Sequence, residues 1–424
     1  MKVLLISANT ETINMVPLPL GLNCVAVAIR TAGHDVHLLD LMGSGDNNML
    51  IRDTIQKFKP RVIGISVRNV DNQQMAETRF LLEPIRDMVA SCRSFSDATI
   101  VLGGAGFSIF PEAALSYLQA DMGVCGEGEV AFTMLLDALE REDPLSGIPG
   151  ICLPDVIVRR GSVVRAGLED LPLPDPSLWN VPAGTGTEIW IPFQTRRGCP
   201  MKCSYCSTPA LEGTVIRKHP VEVVVKGIAR HVAAGFNHFY FVDNTFNFPP
   251  QYAKDLCTAL ATAGLNIRWR CILYPGFMDE ELVRKMAEAG CVEVSLGFES
   301  GSPAILKKLN KKFDLDQVRV TSELLSEHGI RRMGFLLLGG PGETKATVRE
   351  SLAFADSLKL DMLKVTMGIR IYPGTALEKV AREEGVLAEE DDLLLPRFYM
   401  AKGLDGWLGP MIRDWMVDRS YCVT

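Results

Sequence analysis

Short continuous apolar runs alternate with helix-spaced segments along the first third of the chain. The runs VIGISV (62–67) and TIVLGG (99–104) are typical of buried strands, and residues 20–32 and 130–139 have helical spacing. Continuous apolar strands separated by helices predict a parallel sheet that is covered on both faces. We therefore expect a doubly wound, Rossmann-like α/β domain, in which ligands bind beyond the carboxyl ends of the strands.

The pattern changes near residue 144 and resumes near residue 191. GICLPDVIVRRGSVVRAG predicts a β-hairpin that turns at Arg160 and Gly161, and LPLPDPSLW is a proline-rich connector. Six strand candidates with helices between them follow, two fewer than in a closed (β/α)8 barrel: 191–195, 238–243, 267–273, 292–298, 332–338 and 362–369. Periodicity alone does not decide between a barrel and an open sheet. We predict four regions: a first domain over 1–143, a linker over 144–190, a second domain over 191–385 and a short extension over 386–424.

Composition and charge narrow the class of protein. Hydrophobic residues make up 47% of the chain and charged residues 22%, which excludes a disordered protein. The net charge is -7 and no basic run is present, so we expect no nucleic-acid partner. The N-terminus lacks the long apolar core of a signal peptide, and no apolar run reaches the ~18 residues of a membrane-spanning helix. We therefore expect a cytoplasmic protein without a transmembrane segment.

Three of the eleven cysteines lie within eight residues, directly after the first strand of the second domain. They are Cys199, Cys203 and Cys206, in the sequence CPMKCSYC. Thiolates clustered on one loop favour zinc or an iron–sulfur centre. A structural zinc site is almost always closed by four ligands, and no fourth cysteine or histidine is evident nearby. Three ligands on a cubane cluster leave one iron open to another molecule, although a partial zinc site or an incidental cluster stays possible at this point.

The spacing CxxxCxxC, with Tyr205 before the last cysteine, resembles the radical S-adenosylmethionine (radical SAM) enzymes. GFESGSPAILKKLNK (297–311), GFLLLGGPGET (334–344) and IYPGT (371–375) are similar to SAM-binding segments of that superfamily. The resemblance implies a partial (β/α)6 barrel, in which Cys199, Cys203 and Cys206 hold a 4Fe-4S cluster whose open iron binds SAM. It also implies SAM contacts from four further residues, Tyr205, Asp243, Glu299 and Ser300. Asp243 lies in FVDNTF, where many members have a GGE-like motif that is missing here.

The N-terminal third resembles the cobalamin-binding domain that is fused to one large group of these enzymes. The resemblance rests on residues 17–41, VIGISV, LGGAG (102–106) and GEGE (126–129). It implies cobalamin contacts from residues at strand ends, where glycine lets the backbone approach a bulky ligand: Ser66, Gly103, Gly104, Gly126, Glu127 and Gly128. The DxHxxG motif that supplies a histidine to cobalt is absent. Cobalt would therefore lack a protein histidine ligand, or the domain has kept its fold and lost the cofactor.

The remaining eight cysteines are isolated, and buried cysteines of this kind act as small hydrophobic residues. A minor redox or axial role for Cys271 stays open. The methylthiotransferases within the superfamily carry three further N-terminal cysteines and a C-terminal β-barrel. Neither feature is evident in this sequence.

The resemblance implies an enzyme that cleaves SAM reductively to a 5′-deoxyadenosyl radical and methylates a carbon centre from methylcobalamin. It further implies an external electron donor such as flavodoxin or ferredoxin, and a small-molecule or peptide substrate. Two alternatives stay open: radical cyclisation, rearrangement or C–C bond formation without methyl transfer, and a non-catalytic metal-binding protein. The sequence identifies neither the substrate nor a catalytic residue that touches it.

Overall fold

The computed structural model describes residues 1–11, 17–42, 46–154, 167–181 and 189–424. The hairpin predicted at Arg160 and Gly161 lies outside these residues. The chain divides into two compact units. The N-terminal unit comprises Met1–Asn72, Arg79–Pro192 and Ala210–Glu212, and the C-terminal unit comprises Gln73–Thr78, Phe193–Pro209 and Gly213–Thr424. The four regional boundaries stated above stay a prediction.

The N-terminal unit contains the expected doubly wound sheet. Its six strands are arranged in the order β2-β1-β3-β4-β5-β6, and the pairings from β2 to β5 are parallel while β6 pairs antiparallel. The strands are β1 (Lys2–Ser7), β2 (Asp35–Asp40), β3 (Val62–Ser66), β4 (Thr99–Gly103), β5 (Met122–Val124) and β6 (Ile151–Cys152). The helices are α1 (Leu20–Thr31), α2 (Asn47–Phe58), α3 (Leu82–Phe95), α4 (Ala105–Ile109), α5 (Pro111–Leu118) and α6 (Gly128–Arg141).

Burial explains why these apolar runs form strands. Five of the six residues of β1 are buried, and so are four of the five residues of β3. Central strands of a sheet that is covered on both faces need apolar side chains at successive positions, which is the pattern predicted. The strand ends are level with each other, because Ser7 pairs with Ser66 and Ser66 pairs with Gly103. The loops that follow β1, β3 and β4 therefore share one edge of the sheet.

The C-terminal unit is built around one seven-stranded sheet whose strands follow chain order; six of them correspond to the predicted strands, and a short seventh strand is added at one edge. The sheet order is β17-β14-β13-β12-β11-β10-β7, and the pairings from β10 to β17 are parallel. β7 and β17 stand at the two ends of this order among the described residues, so the sheet is not closed into a complete barrel, in agreement with the partial barrel that the resemblance implied. Its strands are β7 (Ile191–Phe193), β10 (His238–Phe241), β11 (Arg268–Leu273), β12 (Cys291–Glu299), β13 (Arg331–Leu338), β14 (Met362–Met367) and β17 (Cys422–Val423).

Helices follow the barrel strands, and two short antiparallel pairs lie beside them. The pairs are β8 (Arg196–Arg197) with β9 (Arg217–Lys218), and β15 (Ile369–Arg370) with β16 (Phe398–Tyr399). The helices are α7 (Thr208–Glu212), α8 (Val221–Ala233), α9 (Pro250–Ala263), α10 (Glu280–Glu288), α11 (Pro303–Lys308), α12 (Leu315–Glu327), α13 (Lys345–Ser357), α14 (Ala376–Glu383) and α15 (Leu408–Met416). None of the helices described is both long and apolar enough to cross a membrane.

Candidate active site

The three cysteines of the motif lie on the loop between β8 and α7. All three thiols are half-buried and none is in a disulfide. Backbone hydrogen bonds fix the loop: Cys199 N–H donates to the Gly213 carbonyl at 3.1 Å, and Cys206 N–H donates to the Cys203 carbonyl at 3.3 Å. Burial raises the pKa of the Cys203 thiol, Lys311 opposes that rise, and Cys206 adds to it. Burial thus disfavours the thiolate form of Cys203, while the neighbouring Lys311 favours it.

The chemistry of this donor set fits an iron–sulfur cluster, because soft thiolates are the usual ligands of such clusters. Among the described residues, no three His, Cys, Asp or Glu side chains gather closely enough to hold one metal ion. A tetrahedral zinc site needs its ligands around a common centre. Thiolates on a cubane bind different iron atoms, so they stand farther apart. The half-buried cysteine loop at a barrel end is consistent with the second arrangement.

A buried cation, Lys311, joins three residues of the site. Its side chain is 4% exposed, and its Nζ lies 3.1 Å from the Tyr205 hydroxyl and 3.4 Å from Glu299 Oε1. Burial alone would lower the pKa of Lys311, but Tyr205, Glu299 and Cys203 hold it well above its usual range. The rings of Tyr205 and Tyr274 lie 5.3 Å and 5.8 Å from the ammonium. A fixed positive charge thus lies beside a candidate cluster ligand.

Glu299 is placed by a local irregularity of the strand. The β12–β13 register shifts between Leu296 and Glu299, and Glu299 has a φ of 62°. A non-glycine residue in the left-handed region is strained, and such strain concentrates at functional sites. The bulge directs the Glu299 carboxylate to Lys311. Tyr205 and Glu299, both predicted SAM contacts, are therefore brought together with Cys203.

Ser300 has a different surrounding. Its side chain is fully buried, its hydroxyl lies 2.9 Å from the Ser351 hydroxyl, and it accepts a hydrogen bond from Ser302 N–H at 3.1 Å. These contacts hold the turn between β12 and α11. The predicted SAM contact of Ser300 stays a prediction.

Asp243 lies at the end of β10 and is completely buried. Its Oδ1 accepts hydrogen bonds from Thr195 N–H at 2.6 Å and Arg196 N–H at 3.0 Å. Its Oδ2 accepts from the Thr195 hydroxyl at 2.6 Å and from Arg196 Nε at 3.1 Å. Four donors from the segment just before the cysteine loop therefore occupy this carboxylate. The predicted SAM contact of Asp243 stays untested, while the geometry shows it anchoring the start of that loop.

Glu343, in the segment GGPGE, is a further residue of the site, and no sequence motif indicated it. It is 3% exposed, and its Oε2 accepts hydrogen bonds from the backbone N–H groups of Gly339 and Gly340. Its Oε1 is buried and has no hydrogen-bond partner among the residues that the structure describes. Burial raises the pKa of Glu343 to about 7. This carboxyl group fixes the loop after β13, which belongs to a segment similar to those that bind SAM.

The six predicted cobalamin contacts lie at one edge of the N-terminal sheet. Each is partly exposed, at the ends of β3, β4 and β5 and at the start of α6: Ser66, Gly103, Gly104, Gly126, Glu127 and Gly128. A Cβ at Gly103 would meet nothing closer than the Val124 carbonyl oxygen at 3.8 Å. Open backbone at this position fits a bulky planar ligand. Gly104 differs, because its φ is 95° and a Cβ added there would lie only 2.6 Å from the Val67 carbonyl oxygen. No side chain fits at this position.

A cavity of about 500 Å³ opens at the same edge, beside the ends of β1 and β3. Its lining is mixed, with apolar residues of α2 and α3 and polar residues such as Asn9, Asn48, Arg68 and Asn69. None of the six predicted cobalamin contacts lines it. In a doubly wound sheet of this order the switch point lies between β1 and β3, where ligands usually bind. The cavity therefore widens the candidate binding edge beyond the residues that the sequence indicated.

Comparison with known protein families gives two matches in the same order as the two predicted domains. Residues 6–136 match the model of the B12 binding domain, and residues 194–355 match that of the Radical SAM superfamily. The first range ends within α6. The second contains the cysteine loop, Asp243, Glu299 and Glu343.

Relatives that match most of this chain include methyltransferases. The chain is 28% identical to an uncharacterized methyltransferase of Pyrococcus horikoshii, over 91% of this chain and 84% of that protein. It is 25% identical to tryptophan 2-C-methyltransferase of Streptomyces laurentii, over 86% of this chain and 72% of that protein. The fold is similar to that of the radical S-adenosylmethionine methyltransferase TsrM from Kitasatospora setae. The TM-score is 0.85 at 23% identity, covering 99% of this chain and 90% of that one.

Proposed function

We propose that this chain, which matches the B12 binding domain and the Radical SAM superfamily in turn, is a cobalamin-dependent radical SAM enzyme that transfers a methyl group from SAM to a carbon centre of a small molecule. The observation that carries this proposal is the presence, in one chain, of the three-cysteine loop and the open glycine-lined edge of a B12-type sheet. Methyltransferase relatives over most of the chain support the same reaction class.

Cys199, Cys203 and Cys206 would hold the 4Fe-4S cluster, and the strand-end residues of the N-terminal unit would hold cobalamin. When bound, the cluster supplies an electron for cleaving SAM, and cobalamin carries the methyl group. The protein's own contribution is positioning and electrostatics. Lys311 places a buried positive charge beside Cys203 and holds the Glu299 carboxylate, which we assign to SAM binding together with Tyr205.

Asp243 acts in this proposal as a positioning residue. Its contacts with Thr195 and Arg196 fix the chain only a few residues before Cys199. Arg196 in turn donates to the Phe246 carbonyl at 2.6 Å, and its guanidinium lies 4.6 Å from the ring of Tyr252. Because this network is buried, it holds the cysteine loop in one geometry before any cofactor binds.

Reductive cleavage of SAM consumes one electron that the substrate does not supply. We therefore include an external one-electron donor in the proposal, as the family resemblance implies. The substrate in this proposal is a small molecule. Relatives act on different compounds, as the name of tryptophan 2-C-methyltransferase illustrates.

Product stoichiometry tests the proposal without a known substrate. The protein is loaded with iron, sulfide and cobalamin under anaerobic conditions, reduced, and mixed with SAM. We expect about one equivalent of S-adenosylhomocysteine per bound cobalamin, since cobalamin accepts one methyl group and no substrate removes it. Absence of S-adenosylhomocysteine would refute methyl transfer. Deoxyadenosine without S-adenosylhomocysteine would instead support radical chemistry without methylation.

A further inference from the structure

Four exposed lysines flank the cysteine loop of the C-terminal unit. We call Lys202, Lys307, Lys308 and Lys312 the lysine patch. Lys202 lies between Cys199 and Cys203, Lys307 and Lys308 end α11, and Lys312 lies on the turn that follows it. The whole chain has a net charge of -7. A group of four like charges beside the candidate cluster therefore contrasts with the rest of the protein.

Hydrogen bonds join the patch to the cysteine loop. Asn310 Nδ2 donates to the Lys202 carbonyl at 2.6 Å, and Ser204 N–H donates to the Leu309 carbonyl at 3.1 Å. Lys312 Nζ donates to Asn310 Oδ1 at 2.6 Å. The segment that carries three of the lysines is therefore fixed against the loop that carries the fourth.

None of the acidic side chains that the structure describes neutralises the charges of the patch. Within the portion of the chain that the structure covers, none of the four ammonium groups forms an ion pair with a carboxylate. Elsewhere in the same unit, Lys254 pairs with both Asp279 and Glu281, and Arg284 pairs with Glu288. Exposed charges of one sign attract partners of the opposite sign and speed their association. The patch is thus suited to an acidic surface.

We infer that the lysine patch docks an acidic one-electron carrier protein and directs its electron to the cluster held by Cys199, Cys203 and Cys206. This inference rests on the proposed function. In the complex the carrier loses one electron and the cluster gains one, and no covalent bond changes between the two proteins. Because Lys202 belongs to the cysteine loop itself, a carrier seated on the patch stands next to the acceptor. The partner is recognised by its negative charge rather than by a shaped pocket.

The test compares two charge-reversal variants of the full-length, cofactor-loaded protein. Lys307→Glu/Lys308→Glu reverses two charges in the patch, and Lys226→Glu/Lys402→Glu reverses two exposed lysines outside it. Reduced flavodoxin, an acidic carrier, serves as the probe for cluster reduction in stopped flow. Oxidised flavodoxin serves for affinity by calorimetry. Dithionite, which needs no docking surface, serves as the reference reductant.

We expect the patch variant to bind flavodoxin at least tenfold more weakly and to be reduced at least tenfold more slowly at low ionic strength. The difference should shrink as salt is added, because screening weakens exposed charges. The control variant should behave like the unmodified protein, and dithionite should reduce all three equally. Equal affinities and rates for flavodoxin in all three proteins would overturn the inference.

A failure of the proposed function would give different results from a failure of the docking inference. If dithionite reduces the cluster but SAM yields no S-adenosylhomocysteine in any protein, methyl transfer is refuted, while the flavodoxin comparison still decides the docking surface. If the patch variant loses dithionite reduction as well, the lysines support the cluster itself and the docking inference is wrong.

Discussion

The buried carboxyl group of Glu343 leads to a prediction that needs no cofactor. Glu343 is buried, and burial raises its pKa from 4.5 to about 7 although two backbone N–H groups stabilise the charged form. Glu343→Gln keeps an acceptor for the Gly339 and Gly340 amides. It also replaces the orphaned Oε1 with a neutral group. The substitution therefore removes a buried charge with little change in shape.

The sign and size of the effect follow from linkage between protonation and folding. Below the pKa that Glu343 has in the unfolded chain, its carboxyl group is protonated in both the folded and the unfolded state. The group then does not change the free energy of unfolding. As pH rises from 4.5 to about 7, the unfolded chain ionises first, so the folded state loses stability. At about 1.4 kcal/mol per pKa unit the full loss is about 3 kcal/mol. We expect the stability of Glu343→Gln relative to the unmodified protein to rise by about 2.5 kcal/mol between about pH 5 and about pH 8.

Urea denaturation of the cofactor-free chain across this pH range measures the difference. Glu350→Gln, at an exposed position of α13, controls for the loss of one carboxyl group. Subtracting the unfolding free energy of the unmodified protein from that of the variant cancels the contribution of every other titrating group. The reasoning is refuted if that difference stays flat with pH, or if Glu350→Gln shows the same rise as Glu343→Gln.

Three further substitutions test separate parts of the site. Asp243→Asn leaves the buried Arg196 without its counter-charge, so we expect the free energy of unfolding in urea to fall by about 3–5 kcal/mol and less iron to be incorporated. An unchanged stability would contradict the anchoring role. Lys311→Met removes a charged hydrogen-bond donor from Glu299 and Tyr205, and SAM affinity measured by calorimetry should fall about tenfold, whereas undiminished affinity would contradict the assignment. Gly104→Ala forces a side chain against the Val67 carbonyl at a φ of 95°, so cobalamin binding followed by absorbance should be lost while iron content stays normal. Normal cobalamin binding would show that this loop lies outside the cobalamin site.

Most of the fold could be predicted because the pattern of buried strands is strong. The six strand candidates of the second series correspond to β7, β10, β11, β12, β13 and β14, with ends that differ by no more than two residues. The prediction of a doubly wound first domain is confirmed for the same reason. β17 was not predicted, because two residues that extend a sheet edge carry no periodicity. The resemblance, rather than periodicity, distinguished a partial barrel from an open sheet.

The site could be predicted only where its functional residues lie close together in the sequence. Three cysteines within eight residues were recognisable, and both cofactor assignments agree with the family matches. The hydrogen-bond network of Asp243 could not be recognised in the sequence, because its partners Thr195 and Arg196 are 48 and 47 residues away in the chain. The burial of Lys311 could not be predicted, because a lysine-rich segment such as LKKLNKK is typical of a solvent-exposed surface. The signal available there was its position between the apolar residues Leu309 and Phe313, both of which are buried.

Electron paramagnetic resonance of the anaerobically reconstituted and reduced protein, recorded with and without SAM, tests the central claim most directly. If Cys199, Cys203 and Cys206 hold a cubane with one open iron, a reduced-cluster signal should appear, change on addition of SAM, and vanish when any one of the three is replaced by Ala. A signal indifferent to SAM, or one that survives in the Ala variants, would contradict the account.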